Sequence, residues 1–283
     1  MEDRQGLKLE ILMSVMHQTD FSIVDKTKVT GDAIIINQCN DSGYKEYALE
    51  NGCLWRMISV TDRGLAKSRN LGIENATGDI ILLCDDDELL AEGYSDIILN
   101  AYKEIPDADA MVFNVNRINN PMKKKYYRIT KIKKAPFYRG YGSVMLTFRL
   151  SSIKKHNIKM CEKFGAGTSW GGGEDSLFED DIRKCGLKMY EYPATIATID
   201  YGNGSTWFKG YREEAFYNEG AFNQHKYGKN IILKYLRCIY SCYRLRKEKH
   251  LNFFQKMKWM RLGMKGMKTN IPYKEYIAHQ KKA

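Results

Sequence analysis

The chain has 283 residues, of which 43% are hydrophobic and 28% charged; these ordinary globular values exclude wholesale disorder. The longest clean apolar run, Ile80 to Cys84, is far shorter than the roughly 20 residues that cross a membrane. The net charge is +11, yet residues 226–268 alone hold 13 lysines and arginines against one acid, Glu248. The excess of charge belongs to this C-terminal segment, which suggests a docking tail on a nearly neutral body.

The seven cysteines show no spacing typical of a disulfide framework, and the first residues lack the apolar core of a signal peptide. These features predict reduced thiols in a cytoplasmic protein. The five histidines have no metal-ligand spacing, and His17, after the first predicted strand, is interpreted as structural.

The first half of the chain alternates short apolar runs with helical stretches. Apolar runs typical of strands covered on both faces occur at 9–15, 33–36, 55–60, 79–84 and 109–115. Helices are predicted at about 42–51, 64–77 and 91–104. For the second helix, Asp62 is the expected N-cap and Gly78 the expected C′ residue. The alternation predicts βαβ units and an α/β, doubly wound sheet.

The pattern changes after residue 119. The elements predicted for the second half are, in order, antiparallel strands at 126–132 and 143–148, a glycine-rich loop at 165–173, an acidic helix ending at Gly186, a strand at 195–199, a loop to Trp207, and helices from about 210. A second basic run, from Lys123 to Lys134, lies in the middle of the chain.

The strongest local signal is the run Cys84-Asp85-Asp86-Asp87-Glu88 directly after a buried strand. Ligands of open α/β sheets bind at the carboxyl ends of strands, and neighbouring carboxylates repel one another unless a cation lies between them. The run therefore indicates a divalent-metal site. The alternative is a solvated turn in which Asp87 or Glu88 caps the next helix.

Two further motifs have a functional and a structural interpretation. In Gly171-Gly172-Gly173-Glu174-Asp175, glycines precede a carboxylate at a helix start, which suits a general base or, alternatively, a simple N-cap. In Gly64-Leu65-Ala66-Lys67-Ser68-Arg69-Asn70, Lys67 and Arg69 near a helix N-terminus suit an anion or a solvated face.

Taken together, the order of these motifs resembles glycosyltransferase family 2, whose members have the GT-A fold. The resemblance covers roughly residues 8 to 208 and is most specific from Gly64 to Glu88. It implies a mostly parallel, doubly wound sheet with helices on both faces, a nucleotide-sugar donor, a divalent metal and inversion at the anomeric carbon.

The resemblance also implies residue roles. Asp85 and Asp87 match the D-x-D motif and would bind Mn²⁺ or Mg²⁺, with Asp87 the principal ligand. Asp175 matches the catalytic base that deprotonates the acceptor hydroxyl, and Glu174 flanks it as the second catalytic candidate. The residues expected to contact the donor are Asn37, Gln38, Lys67, Arg69, Asp85 and Asp86.

The chain departs from the family pattern at two places. Where members carry an acidic loop that contacts the base, this chain has Asn37 to Asp41, which leaves the choice of base open. Members often place a histidine before the late Ser-Thr, whereas this chain has none there, and Asp200 is the candidate substitute.

The expected domains are 1–209, with a nucleotide-binding half at 8–118 and an acceptor half at 119–209, and a helical basic extension at 210–283. In that extension Ile232, Leu236, Ile239 and Tyr243 share one helical face, and a stripe from Leu251 to Met267 repeats the pattern. Such cationic amphipathic helices suit an anionic membrane surface. Alternatively, these apolar stripes pack on the core, or on another subunit in a homo-oligomer. Nucleic-acid binding is not expected, because the sequence contains no recognised nucleic-acid-binding module.

The sequence therefore predicts an inverting, metal-dependent glycosyltransferase, peripheral at the cytoplasmic face of the cell membrane. By resemblance, its acceptor would be a glycan or a lipid-linked molecule in bacterial surface polysaccharide synthesis. The alternative is a non-catalytic module that binds a sugar nucleotide or glycan and carries a membrane-docking tail.

Overall fold

The computed structural model describes residues 6–119, 127–203 and 210–281. The chain divides into two compact units. The sheet unit comprises Met1–Cys161 and Asp175–Gly204, and the helical unit comprises Glu162–Glu174 and Ser205–Ala283. The loop at 162–174 thus clusters with the C-terminal helices; the predicted functional halves and the boundary at 209 stay predictions.

Within the described residues, ten strands form one sheet. They are β1 (Leu9–Met16), β2 (Asp32–Gln38), β3 (Gly43–Ala48), β4 (Leu54–Val60), β5 (Ile80–Cys84), β6 (Glu88–Leu90), β7 (Ala110–Ile118), β8 (Lys133–Lys134), β9 (Leu146–Arg149) and β10 (Met189–Asp200). Their order is β3-β4-β2-β1-β5-β9-β7-β10-β6, with β8 paired to β10. The four strands β4-β2-β1-β5, adjacent in this order, pair in parallel, and β7 pairs in parallel with β10. The other pairs in the sheet are antiparallel.

The helices of the sheet unit are α1 (Ser22–Thr27), α2 (Leu65–Asn75), α3 (Tyr94–Glu104), α4 (Leu150–Lys155) and α5 (Glu174–Lys184). Short 3₁₀ turns occupy Ser143–Met145 and Tyr201–Asn203. Helix α2 lies close on β1, because a Cβ on Gly72 would clash with the side chain of Leu12. The α/β sheet with parallel central strands that the sequence predicts is confirmed.

Register brings the carboxyl ends of the parallel strands to one edge of the sheet. Met13 of β1 pairs with Cys84 of β5, and Val15 pairs with Asn37 of β2. Every residue of β2 and β5 is buried, as their continuous apolar runs predict. The loops that leave these strands are therefore neighbours at this edge.

Two predicted elements are wrong. Residues 42–51 do not form a helix, because Gly43–Ala48 instead supplies β3 to the edge of β4, whose backbone groups need partners. The strand predicted at 126–132 is absent from the described residues 127–132. There the backbone N–H and carbonyl of Ile129 pair with the Asn114 side chain instead of with a neighbouring strand. Tyr126, Lys123–Lys125 and the loop at 204–209 lie outside the described residues.

The predicted ends of α2 are also wrong. Its N-cap is Gly64, whose backbone N–H donates to Gln38 Oε1 at 2.7 Å, whereas Asp62 accepts from Lys67. The helix ends at Asn75, and Gly78 lies beyond it, donating its N–H to Glu10. Contacts with the sheet, rather than local capping signals, set both ends.

The helical unit contains α6 (Glu213–Tyr227), α7 (Ile231–Arg244), α8 (Phe253–Thr269) and α9 (Tyr273–Gln280). Helices α6 and α8 cross with their backbones in contact, because a Cβ on Gly263 would overlap the carbonyl of Tyr217 and one on Gly220 that of Met260. The hydrophobic cluster among these C-terminal helices contains Phe216, Cys238, Cys242, Leu251, Met260 and Met264. Within the described ranges, none of the helices has the length and apolar character needed to span a bilayer.

Candidate active site

The acidic run forms a tight turn after β5. The Glu88 N–H donates to the Asp85 carbonyl at 3.3 Å, and the Asp85 N–H donates to Glu88 Oε2 at 3.0 Å. Glu88 is buried and begins β6, whereas Asp86 and Asp87 are exposed. The next helix, α3, has Gly93 at its N-cap, so the interpretation of Asp87 or Glu88 as a cap is wrong.

The electrostatics of this turn suit a cation. The surrounding protein displaces water from the Asp87 carboxylate and raises its pKa, and the charges of Asp85 and Asp86 raise it further. Burial and the charge of Asp85 raise the pKa of Glu88 well above its ordinary value, and Glu88 Oε1 is buried without a hydrogen-bond partner. Negative charge is thus crowded at this edge of the sheet.

The described residues contain no group of three or more His, Cys, Asp or Glu side chains arranged to hold a metal. Asp85 and Asp87 can provide two carboxylate ligands, and hard divalent cations commonly complete their coordination with substrate phosphate and water oxygens. The turn therefore fits a metal that binds together with a phosphorylated ligand.

Arg69 of α2 connects this turn to the predicted base. Its Nη2 donates to Asp85 Oδ1 at 2.7 Å and to Ser143 Oγ at 2.8 Å, and its Nη1 donates to Asp175 Oδ1 at 2.8 Å. The Arg69 side chain is only 2% exposed. A buried guanidinium with two carboxylate partners fixes both of them through charge-assisted hydrogen bonds.

Asp175 lies in the first turn of α5, where the helix dipole favours a negative charge. Besides Arg69, it accepts a hydrogen bond from the Ser143 backbone N–H, at Oδ2 and 3.1 Å. The helix starts at Glu174, so the interpretation of Asp175 as a simple N-cap is wrong. A quarter of its side chain is exposed, which leaves the carboxylate accessible to a substrate.

The sequence did not indicate Ser143 or Glu179. Glu179, one turn after Asp175, is fully buried and accepts the Tyr141 N–H with both carboxylate oxygens, at 3.0 and 3.1 Å. Helix α5 thus holds the backbone of segment 141–143 with two carboxylates. The only sequence signal for Glu179 was an acid four residues after Asp175, a spacing that is equally typical of a surface helix.

Glu174, the second catalytic candidate, belongs to the helical unit. It is buried, accepts the Gly173 N–H at 2.8 Å and lies where a Cβ on Gly165 would clash. Its side chain supports the glycine-rich loop. Its catalytic role stays a prediction.

Two of the expected donor contacts hold loops in place. Asn37 Oδ1 accepts the Gln18 N–H at 2.9 Å, and Asn37 Nδ2 donates to the Gln18 carbonyl and to Ser59. Gln38 accepts the Gly64 N–H at the start of α2. Their contact with a donor stays a prediction.

The remaining candidates lie at the surface. Lys67 is 43% exposed and pairs with Asp62 at 3.1 Å. Asp200 Oδ1 accepts hydrogen bonds from Asn119 and from the Gly202 N–H, which lower the pKa of its carboxyl. The proposed substitution of Asp200 for a histidine ligand stays a prediction.

The family model described as "Glycosyl transferase family 2" matches residues 21–169, more than half of the chain. No curated protein sequence matches the chain significantly.

Solved structures of S. aureus TarS share the fold, and the expected GT-A type is thereby confirmed. TarS 1-349 has a TM-score of 0.60 at 10% identity, over 92% of this chain and 81% of that chain. Its complex with UDP-GlcNAc has a TM-score of 0.57 at 12% identity, over 80% of this chain and 68% of that chain. A longer TarS structure has a TM-score of 0.54 at 11% identity, over 87% of this chain and 44% of that chain.

Proposed function

The chain belongs to glycosyl transferase family 2, and on that premise we propose that it transfers a sugar from a nucleotide-sugar donor to a hydroxyl group with inversion at the anomeric carbon. Family membership favours an enzyme over a non-catalytic binding module. The observation that supports the site best is the pairing of Arg69 with both Asp85 and Asp175. One buried side chain thereby aligns the acidic turn with the candidate base.

In the proposed reaction, Asp175 accepts the proton of the acceptor hydroxyl. The acceptor oxygen forms a bond to the anomeric carbon on the face opposite the donor diphosphate. The bond from that carbon to the diphosphate oxygen breaks, and its electron pair leaves with the nucleoside diphosphate. Arg69 and the Ser143 N–H hold Asp175 in place for this step.

A divalent cation, Mn²⁺ or Mg²⁺, held by Asp85 and Asp87 would neutralise charge on the leaving diphosphate. Asp86 lies in the same turn and would contact the donor. The S. aureus TarS structures in complex with UDP-GlcNAc and with UDP support a uridine nucleotide as the donor carrier.

The acceptor is proposed to be a glycan or a lipid-linked molecule in surface polysaccharide synthesis, reached from the cytoplasmic face of the cell membrane. Attachment to that surface would use residues 226–268, which contain 13 lysines and arginines and one acid. The positive charge of this segment supports the proposed location.

The first experiment measures nucleoside diphosphate release from a panel of nucleotide sugars, with Mn²⁺ and without acceptor. Release from at least one donor, lost in EDTA, is expected. Full activity in EDTA would contradict the metal role, and no turnover of any donor, with or without acceptor mixtures, would contradict the proposed reaction.

The second experiment tests the two carboxylates. Asp175→Asn is expected to lower turnover about 10²–10⁴-fold with donor affinity little changed. Asp181→Asn is the matched control, because Asp181 lies on the same helix in a surface pair with Lys184. Asp87→Ala is expected to abolish transfer and metal-dependent stabilisation by nucleotide, whereas Asp96→Ala, at an exposed acid of α3, is not. Equal losses of donor binding and turnover in Asp175→Asn would assign that residue to structure.

A further inference from the structure

Helix α7 exposes its most apolar face and buries Lys234 and Ser241 beside two cysteines of the core, Cys238 and Cys242. Ile232, Leu236 and Tyr243 are 71%, 56% and 62% exposed. They share the outward side with Ile239 and Tyr240, which are also exposed. Helices of globular proteins normally turn such a stripe toward the core.

The buried side of α7 is fixed by polar contacts with α6 and the residue that follows it. Lys234 Nζ donates to Gln224 Oε1 at 2.7 Å and to the Gly228 carbonyl at 3.4 Å. Ser241 Oγ donates to Glu219 at 2.7 Å. Rotating α7 to bury its isoleucines would break these bonds and set apolar side chains against Glu219 and Gln224 of α6, which would lose their partners. Because polar groups that lose their hydrogen bonds on burial cost free energy, the outward direction of the apolar face is stable.

Both ends of the outward face carry positive charge. Lys229 precedes α7, Arg244 is its last residue, and Arg246, Lys247 and Lys249 follow it. All five are exposed, and Glu248 is the single acid of the segment. Two tyrosines of the face lie beside arginines: Arg246 lies 4.4 Å from the Tyr243 ring centroid, and Arg237 lies 5.5 Å from that of Tyr240. Aromatic rings and arginines are typical of the interface between lipid headgroups and acyl chains.

The next helix adds apolar side chains close in sequence. Phe253 and Phe254, in the first turn of α8, are exposed, Phe254 to 80%. Lys256, two residues later, connects this turn to the segment that follows α7. Its Nζ donates to the carbonyls of Leu245 and Glu248 at 2.8 and 2.9 Å.

We propose that the outward face of α7, defined by Ile232, Leu236, Ile239, Tyr240 and Tyr243, inserts into the headgroup region of an anionic lipid bilayer. The helix, 14 residues long, lies along the surface with its basic ends against lipid phosphates. A second copy of this chain is the disfavoured occupant, because joining two such faces would bring two strongly basic segments together, whereas anionic lipid neutralises them. The inference deepens the proposed membrane attachment and rests on it for the identity of the membrane.

The test is co-sedimentation of the full chain with vesicles of phosphatidylcholine and phosphatidylglycerol at low salt. The wild-type chain is expected to bind these mixed vesicles and to bind vesicles of phosphatidylcholine alone far less. Added salt is expected to release it, because salt screens the headgroup charge. Ile232→Ser combined with Leu236→Ser is expected to weaken binding at least about tenfold, because two apolar side chains leave the lipid. Ile239→Ser combined with Tyr243→Ser is a second variant of the same face.

The matched control is Phe137→Ser, since Phe137 is 82% exposed but belongs to the sheet unit. It is expected to bind vesicles like the wild type. Equal binding by the wild type and both face variants would overturn the proposal. A concentration-dependent dimer in lipid-free solution that both face variants abolish, without vesicle binding by the wild type, would overturn it in favour of a second copy.

Nucleoside diphosphate release from the donor, measured in lipid-free solution, separates this inference from the proposed function. Both face variants are expected to retain it. Loss of vesicle binding with full release supports the docking face, whereas absence of release in every protein would contradict the enzyme without affecting the vesicle result.

Discussion

Helices α7 and α8 have the same kind of sequence but opposite orientations. Both combine an apolar stripe with several lysines and arginines. Helix α8 buries Met260 and Met264 and exposes all of its cations except Lys256, whereas α7 exposes its apolar stripe and buries Lys234. An amphipathic pattern therefore defines two faces without saying which of them meets the core.

Their common partner, α6, decides the difference. Toward α8 it presents the glycine Gly220, which allows backbone contact with Met260. Toward α7 it presents Glu219, Asn223 and Gln224, whose polar atoms bind Ser241, Cys238 and Lys234. These hydrogen bonds hold the side of α7 that carries Lys234 and Ser241 against α6, and the apolar side therefore faces solvent.

The largest expected effect comes from closing the space between α6 and α8. Gly263→Ala would place a methyl group on the Tyr217 carbonyl and force the helices apart. We expect a loss of more than about 3 kcal/mol in the free energy of unfolding, even though alanine favours helix by about 1 kcal/mol. Gly43→Ala, with open space around it, is the control for urea unfolding. Wild-type stability of Gly263→Ala would refute the close crossing.

A matched pair of truncations tests the two stripes directly. Met260→Ala removes a fully buried side chain and is expected to cost about 2–5 kcal/mol of stability. Leu236→Ala removes an exposed one and is expected to change stability by no more than about 0.5 kcal/mol. Similar losses from both variants in thermal or urea unfolding would show that α7 is packed like α8.

Cysteine labelling tests the orientation of α7 without mutation. Cys238 lies on its buried side, and burial raises its pKa from 9.0 to about 11. At pH 8 its thiolate should be about 100-fold scarcer than that of an ordinary cysteine, and access is blocked as well. Cys185 is exposed and should react first with iodoacetamide, followed by mass spectrometry. Rapid labelling of Cys238 in the folded chain would mean that α7 is turned the other way.

The smallest expected effect concerns the link between the two helices. Lys256→Met keeps the length of the side chain but leaves the carbonyls of Leu245 and Glu248 without their donor. A loss of about 1–2 kcal/mol is expected. Lys258→Met, at an exposed neighbour, serves as the control and should be nearly neutral. No difference between the two in urea unfolding would argue against a structural role for Lys256.

Much of the sheet unit was predictable because its signals are local. Continuous apolar runs gave the buried strands β1, β2 and β5, and the acidic turn followed β5 as expected. The edge strand β3 was mistaken for a helix, since its exposed residues carry no burial pattern and its conformation depends on pairing with β4. Edge elements depend on their neighbours more than on their own sequence.

The candidate site was predictable residue by residue but not as an arrangement. Asp85 and Asp175 were identified from their motifs, whereas the Arg69 contacts that connect them span 16 and 106 residues of sequence. Ser143 and Glu179 had no local signal, because their role depends on contacts with α2, α5 and the 141–143 segment that form only in the folded chain.

By itself the sequence determined the positions of the buried strands in the first half, the carboxylates at a strand end and at a helix start, and the existence of two amphipathic helices; the family came from the resemblance of its motifs. These follow from periodicity and turn chemistry, which act between residues close in the chain. Only the tertiary structure decided that Arg69 is shared by two carboxylates and that α7 faces outward while α8 faces inward. Those outcomes depend on which distant groups can satisfy a buried charge or accept a close backbone, and neighbours in the sequence do not supply them.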